Sequence, residues 1–262
     1  MTLTNIGKEK PGPLIALYIC IVFLTRIPAP PWPKASSYKI SDCSWGFPIA
    51  GVLIALTGGI AFGFCFWVNL PSLVSGLVAI VTMTIATGAL HEDGLADFVD
   101  GVFGGENPKK RTEIMSDSRI GVFGTIAIIF SFICRAALIT AIEKPLLVLG
   151  ALAAAAAISR AILPIIMAFS QPAKTTGIAF EFGKPSLTDW CGGLALAVFI
   201  VILTAPAAWL MCLIAAMLGA VIIAWISEKK IQGYTGDSLG ASQQISELFA
   251  LAAITSFILP PG

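Results

Sequence analysis

Runs of about twenty apolar residues recur from one end of this chain to the other, the length an α-helix needs to cross a bilayer. Inside lipid every backbone N–H and C=O must be satisfied within the protein, and a helix does this within a single segment. Only 12% of the 262 residues are charged, against about 25% in a soluble domain. The expected fold is therefore all-α, a polytopic transmembrane helical bundle forming one integral-membrane domain over residues 1–262. A net charge of +1 gives no basic surface for nucleic acid, and no nucleic-acid partner is expected. The six cysteines are scattered without a CxxC pair and read as small packing residues.

About seven spans are expected, near 46–69, 72–90, 120–142, 146–170, 190–206, 208–226 and 245–260. The shorter apolar run Leu14–Thr25 stops at "TRIPAPPWP", which no helix continues through, and reads as an interfacial or re-entrant helix or a short span. Short turns alternate with long polar connections, so the segments 30–45, 91–119, 171–189 and 227–244 should share one face. They hold Lys34, Lys39, Lys109, Lys110, Arg111, Arg119, Lys174, Lys184, Lys229 and Lys230, whereas the opposite turns hold Lys144. Short loops rich in Lys and Arg stay in the cytoplasm, which makes this the cytoplasmic face of a multi-pass protein of the cytoplasmic membrane.

On that face lies "HEDGLADFVDGVFGG", His91 to Gly105. On a helix, Asp93, Asp97 and Asp100 follow the i, i+4, i+7 rule and fall within about 60° of arc. Carboxylates so close stay ionised together beside a cation. Oxygen ligands without a His/Cys set suggest a hard divalent ion, Mg²⁺ or Mn²⁺. Gly94 and Gly101 would let a bulky ligand approach the backbone. Glu92 and His91 point elsewhere and read as supporting residues. Downstream, Asp117 reads either as the N-cap of the next helix or as a fourth carboxylate for a second metal. Arg119 could grip phosphate in a fork.

Arg26, Arg135 and Arg160 lie in or at the ends of apolar runs. Charges there face polar partners or cavities, so these residues either neutralise acids or hold an anionic substrate such as a pyrophosphate. Asp237, in "GYTGDSLGASQQISEL", reads as a turn residue or as a group closing the site from the same face. A divalent metal, arginines and a membrane-edge pocket favour phosphoryl-type transfer. CDP-alcohol phosphotransferases use this plan with an Asp-Gly-x-x-Ala-Arg motif, but no arginine follows in "DGLADFVDG". A membrane carrier is the alternative of another class, although carriers hold their charges near the bilayer midplane and show internal repeats.

The motifs "FLTRIPAP" (23–30), "HEDGLADFVDGVFGG" (91–105), "EIMSDSRIGVFG" (113–124), "ISRAI" (158–162) and "GYTGDSLGA" (233–241) occur in this order across nearly the whole chain. In them the chain resembles the cobalamin synthases, the adenosylcobinamide-GDP ribazoletransferases. Gln244 stands where members often carry an acid; Glu247 matches. The resemblance implies a Mg²⁺-dependent transferase joining adenosylcobinamide-GDP to α-ribazole, or its 5′-phosphate, with release of GMP. Joined with the residue pattern, it gives the expectation that Asp93, Asp97, Asp100 and Asp117 hold one or two Mg²⁺, that an arginine, Arg119 or Arg160, binds the pyrophosphate, and that a carboxylate is the base. Whether the protein is a homo-oligomer is left open.

Overall fold

A computed structural model describes residues 10–32 and 38–258. Lys34 and the last two residues of the expected span 245–260 lie outside the described residues. The described chain is helical, with one isolated bridge between Pro172 and Tyr234 and no named strand. In order come α1 (Pro13–Leu24), a 3-10 segment (Ile40–Gly46), α2 (Phe47–Trp67), α3 (Ser72–Thr87), α4 (Leu90–Gly104), α5 (Pro108–Ile114) and α6 (Val122–Ile142). They are followed by α7 (Pro145–Phe169), α8 (Ile178–Glu181), α9 (Leu187–Thr204), α10 (Trp209–Ile231) and α11 (Gly236–Ile258).

Among the described residues, five helices are long and apolar enough to cross a membrane: Ile40–Trp67, α6, α7, α9 and α10. A sixth arises if α3 and α4 are counted as one, but they meet at 93°. We read α3 as entering the membrane and α4 as turned out of the spanning direction. The seventh expected span is the far part of α11, which starts nine residues sooner and buries Ser238, Ser242, Gln243, Gln244, Ser246 and Glu247. Likewise the polar connection expected at 227–244 is mostly helix. Residues 232–235 alone separate α10 from α11, and Gln232 leaves the first helix in the left-handed conformation (φ +63°).

α7 is the axis of the bundle. Its run Ala151–Ala157 is buried throughout, and small side chains let neighbouring backbones come close, the main packing device between helices in lipid. A Cβ placed on Gly51 of α2 would stand 2.4 Å from the Ala156 carbonyl oxygen. Gly150 of α7 meets the Thr204 carbonyl of α9 in the same way, at 2.8 Å. Outward residues such as Phe64, Phe130, Leu218 and Trp225 stay exposed, as lipid-facing positions should.

At one end the polar segments bind one another. Ser41 donates its backbone N–H to Phe182, and Tyr234 exchanges backbone hydrogen bonds with Gln171 and Ala173. Lys174 donates to Thr112 and Ser116, and Arg111 to the carbonyl of Lys230. The short α1 packs against the 3-10 segment and the start of α2 at this end, burying Ala16, Ile19, Cys20 and Leu24.

Candidate active site

The acidic helix owes its direction to two residues. Gly88 ends α3 in the left-handed region (φ +65°), and Ala89 follows it there (φ +60°). Their N–H groups bond back to Ile85 and Thr84, closing α3 while the chain turns. Arg26 lies over this bend: a Cβ on Gly88 would be 2.5 Å from its Nε, and its backbone N–H reaches Ala86 at 2.7 Å. Arg26 therefore clamps the corner and lines none of the cavities described below.

From the bend, α4 places its acids at graded depth. Asp93 is exposed, Asp97 half-buried and Asp100 buried. Asp93 and Asp97 line a cleft of about 290 Å³ with Met115, Ser116, Asp117 and Ile128. Burial, then the charges of Asp93, Asp237 and Asp100, push the Asp97 carboxyl up to about 7. Asp237, on the first turn of α11, is also raised, chiefly by burial, while Lys174 pulls it back down.

Asp93 and Asp237 both line a second cavity of about 240 Å³, mostly apolar, and Asp237 lines a third of about 210 Å³ with Lys174, Thr176 and Tyr234. Three cavities thus meet at two carboxylates. The crossing of α4 over α11 makes this meeting. Gly94 lies against Gly240: a Cβ on Gly94 would be 3.1 Å from the Gly240 Cα and from the Asp237 carbonyl oxygen. Gly94 serves helix–helix approach and also lines the apolar cavity. Gly101 is similarly occupied, facing the Met115 side chain and the Arg111 carbonyl.

The other expected ligands divide: Asp117 lines the cleft with Asp93 and Asp97, whereas Asp100 does not. Asp100 accepts hydrogen bonds from the N–H groups of Gly121 (2.7 Å) and Gly124 (2.8 Å), so it caps α6, the task that Asp117 was a candidate for. Asp117 instead binds its neighbour Arg119, whose guanidinium lies 2.7 Å away, and this bond lowers the Asp117 pKa to about 2. Arg119 is otherwise exposed. Among the described residues no three His, Cys, Asp or Glu side chains converge as a metal site, so the expected set of four does not form one.

Arg135 and Arg160 line none of these three cavities. Both are buried and share Glu247, Arg135 at 3.2 Å and Arg160 at 3.0 Å. Arg135 also reaches Glu92 at 3.5 Å and lies over the Phe132 ring. Glu92 accepts from Thr84 and Gln244, and Gln243 bonds Glu247 and Ser159. Two positive and two negative groups therefore neutralise one another inside the bundle and tie α4, α6, α7 and α11 together. This is the neutralising alternative offered by the sequence, with Glu92 and Glu247 as the acids rather than the three aspartates.

Lys174 and the aromatic residues Phe23, Phe47 and Phe182 of the apolar cavity escape a reading from sequence. Lys174 is one of many surface lysines there, and the phenylalanines come from three distant segments. Gln244 sits inside the buried network.

Comparison with known proteins adds three findings. The family described as cobalamin-5-phosphate synthase matches residues 16–255. An adenosylcobinamide-GDP ribazoletransferase of Bradyrhizobium diazoefficiens is 36% identical over 253 residues, 96% of this chain and 97% of the relative. Proteins of the same name from Rhizobium etli and Brucella ovis are 37% and 36% identical, over 90% and 88% of this chain and 94% and 93% of theirs. No solved structure matches.

Proposed function

We propose that this chain, which belongs to the cobalamin-5-phosphate synthase family, is an adenosylcobinamide-GDP ribazoletransferase that completes the nucleotide loop of cobalamin. It joins adenosylcobinamide-GDP to α-ribazole, or to its 5′-phosphate, and releases GMP. One observation carries the assignment to a site: three cavities meet at Asp93 and Asp237. A transfer between two large substrates needs separate pockets opening on one reacting centre.

Mg²⁺ fits this centre. Its preferred ligands are one or two carboxylates, waters and substrate phosphates, so three converging side chains are not required. Burial, and then the neighbouring charges of Asp93 and Asp237, raise the Asp97 pKa, and a cation would relieve the crowding of these carboxylates. Asp93 and Asp97, with Asp237 opposite, are the residues that would hold it. Bound there, the ion would neutralise pyrophosphate charge and stabilise the departing phosphate.

The protein's own groups do the rest. Lys174, beside Asp237, binds the phosphate that leaves with GMP. A ring hydroxyl of the α-ribazole ribose, free in the nucleoside and in its 5′-phosphate alike, attacks the phosphorus that carries the cobinamide arm. A new P–O bond forms, the bridging P–O bond to GMP breaks, and the hydroxyl proton passes to a carboxylate. The excess of Lys and Arg at this end supports a cytoplasmic active site. A carrier is less well supported, since Arg135 and Arg160 are paired with acids and line none of the three cavities.

The detergent-purified protein tests the reading. GMP should appear only when adenosylcobinamide-GDP, α-ribazole and Mg²⁺ are all present, and EDTA should stop it. Release without α-ribazole, or none under any condition, overturns the assignment.

A further inference from the structure

The apolar cavity differs in kind from its two neighbours. Phe23 of α1, Phe47 at the start of α2 and Phe182 just past α8 form an aromatic triad. Phe23 and Phe47 are stacked with centroids 6.2 Å apart, and Phe182 meets them edge-on at 6.0 and 5.9 Å. Met167 of α7 and Leu239 of α11 continue the wall. Asp93 and Asp237 lie on the same wall, and His91 is its single uncharged polar side chain. The His91 Nδ1 is buried without a hydrogen-bond partner. At about 240 Å³ the space is below that of sites for drug-sized ligands, so a corrin macrocycle is excluded and a bicyclic ring fits.

Polarity selects among bicyclic rings. Guanine carries an exocyclic carbonyl and an amino group, and burying them against phenylalanine and leucine without partners is costly. The dimethylbenzimidazole ring of α-ribazole has two methyl groups on its outer edge and one ring nitrogen free to accept a hydrogen bond. Offset and edge-to-face contacts with phenylalanine suit such a ring.

Resting on the function proposed above, we infer that the Phe23–Phe47–Phe182 cavity is the subsite for the base of the acceptor nucleoside. The methyl edge lies among the aromatic side chains, His91 serves the free ring nitrogen, and the ribose emerges at Asp93 and Asp237 with a ring hydroxyl toward the centre. The guanosine then occupies one of the two polar cavities. The 12-residue α1, too short to cross the membrane, acquires a purpose: it carries one wall of the acceptor site.

Steady-state kinetics of the full chain in detergent test this. With wild-type protein, removing the methyl groups from the acceptor base should raise its KM about fourfold per methyl, about fifteenfold for both, with kcat little changed. Phe23→Ala should raise the KM for α-ribazole at least tenfold and leave that for adenosylcobinamide-GDP within twofold, and the milder Phe23→Leu should fall between. Equilibrium dialysis with α-ribazole alone should show binding to wild type that Phe23→Ala loses. A methyl-free acceptor used within twofold of α-ribazole, or variants that shift the KM for adenosylcobinamide-GDP instead, overturns the assignment of this cavity. If wild type releases no GMP, the proposed reaction fails, and the dialysis result alone decides whether the cavity takes the base.

Discussion

Substituting Glu247 by Gln should be among the most damaging single changes in the bundle, although the residue lines none of the three cavities. Its carboxylate is shared by Arg135 at 3.2 Å and Arg160 at 3.0 Å and also accepts from Gln243 at 2.6 Å. Arg135 would keep Glu92, but Arg160 would keep only the Ala156 carbonyl. Removing one partner from a buried pair costs about 3–5 kcal/mol, because the remaining charge stays buried and unpaired. At about 2–4 °C per kcal/mol for a chain of this size, the melting point in detergent should fall by about 6–20 °C. Removing the stranded cation as well should reverse much of the loss. The double variant Arg160→Met/Glu247→Gln leaves Arg135 with Glu92, and the pair should show a coupling of about 2–3 kcal/mol, at the high end for groups in direct contact. Thermal melts followed by tryptophan fluorescence, with size-exclusion to separate unfolding from aggregation, give the comparison. If Glu247→Gln costs less than about 1 kcal/mol on this scale, or the double variant melts no higher than the single one, the neutral-network account is wrong.

Asp93→Asn should abolish GMP release with little change in melting temperature, while Asp100→Asn should lose about 0.5–2 kcal/mol of stability through the weakened cap on α6 and keep measurable turnover; the reverse pattern would exchange their roles. Asp97 has a folded pKa of about 7, above its unfolded value of about 3.9, so the fold gains from its proton in acid and loses that gain as pH rises from about 4 to 7. Mg²⁺ must displace the proton. Its affinity by calorimetry should rise with pH by up to about tenfold per unit below 7 and level off above, and a flat profile would remove Asp97 from the site. Gly94→Ala should push α4 from α11, costing about 1–3 kcal/mol and lowering kcat, as judged by melts and turnover together; unchanged kcat would mean that the spacing of Asp93 and Asp237 does not matter.

Much of this protein is written plainly in its residues. Apolar runs of the right length mark the spans, and the acids of "HEDGLADFVDGVFGG" do share a helix. The i, i+4, i+7 rule, however, sees one helix alone. It cannot show that Asp100 meets the N-terminus of α6 while Asp93 lines a cavity with Asp237 of α11. Polarity misled at 227–244 for a related reason. Ser238, Ser242, Gln243 and Gln244 look like loop residues, yet they are a helix face turned onto buried charges. The 93° bend was hidden because Ala89 adopts positive φ, a conformation its side chain does not favour and no motif announces. The aromatic cavity was hidden because its walls lie far apart in the chain.

The pairing of Arg160 with Glu247 also bears on how the protein is made. Glu92 precedes Arg135, so that arginine has a partner as soon as α6 enters the membrane. Arg160 follows, and its carboxylate is 87 residues further along the chain. Until α11 arrives, α7 must hold an unmatched guanidinium in lipid, at a cost of about 2.5–3.5 kcal/mol by insertion scales. Biogenesis therefore cannot proceed as a series of finished steps: the central helix is inserted provisionally, and the final helix is what commits it to its place.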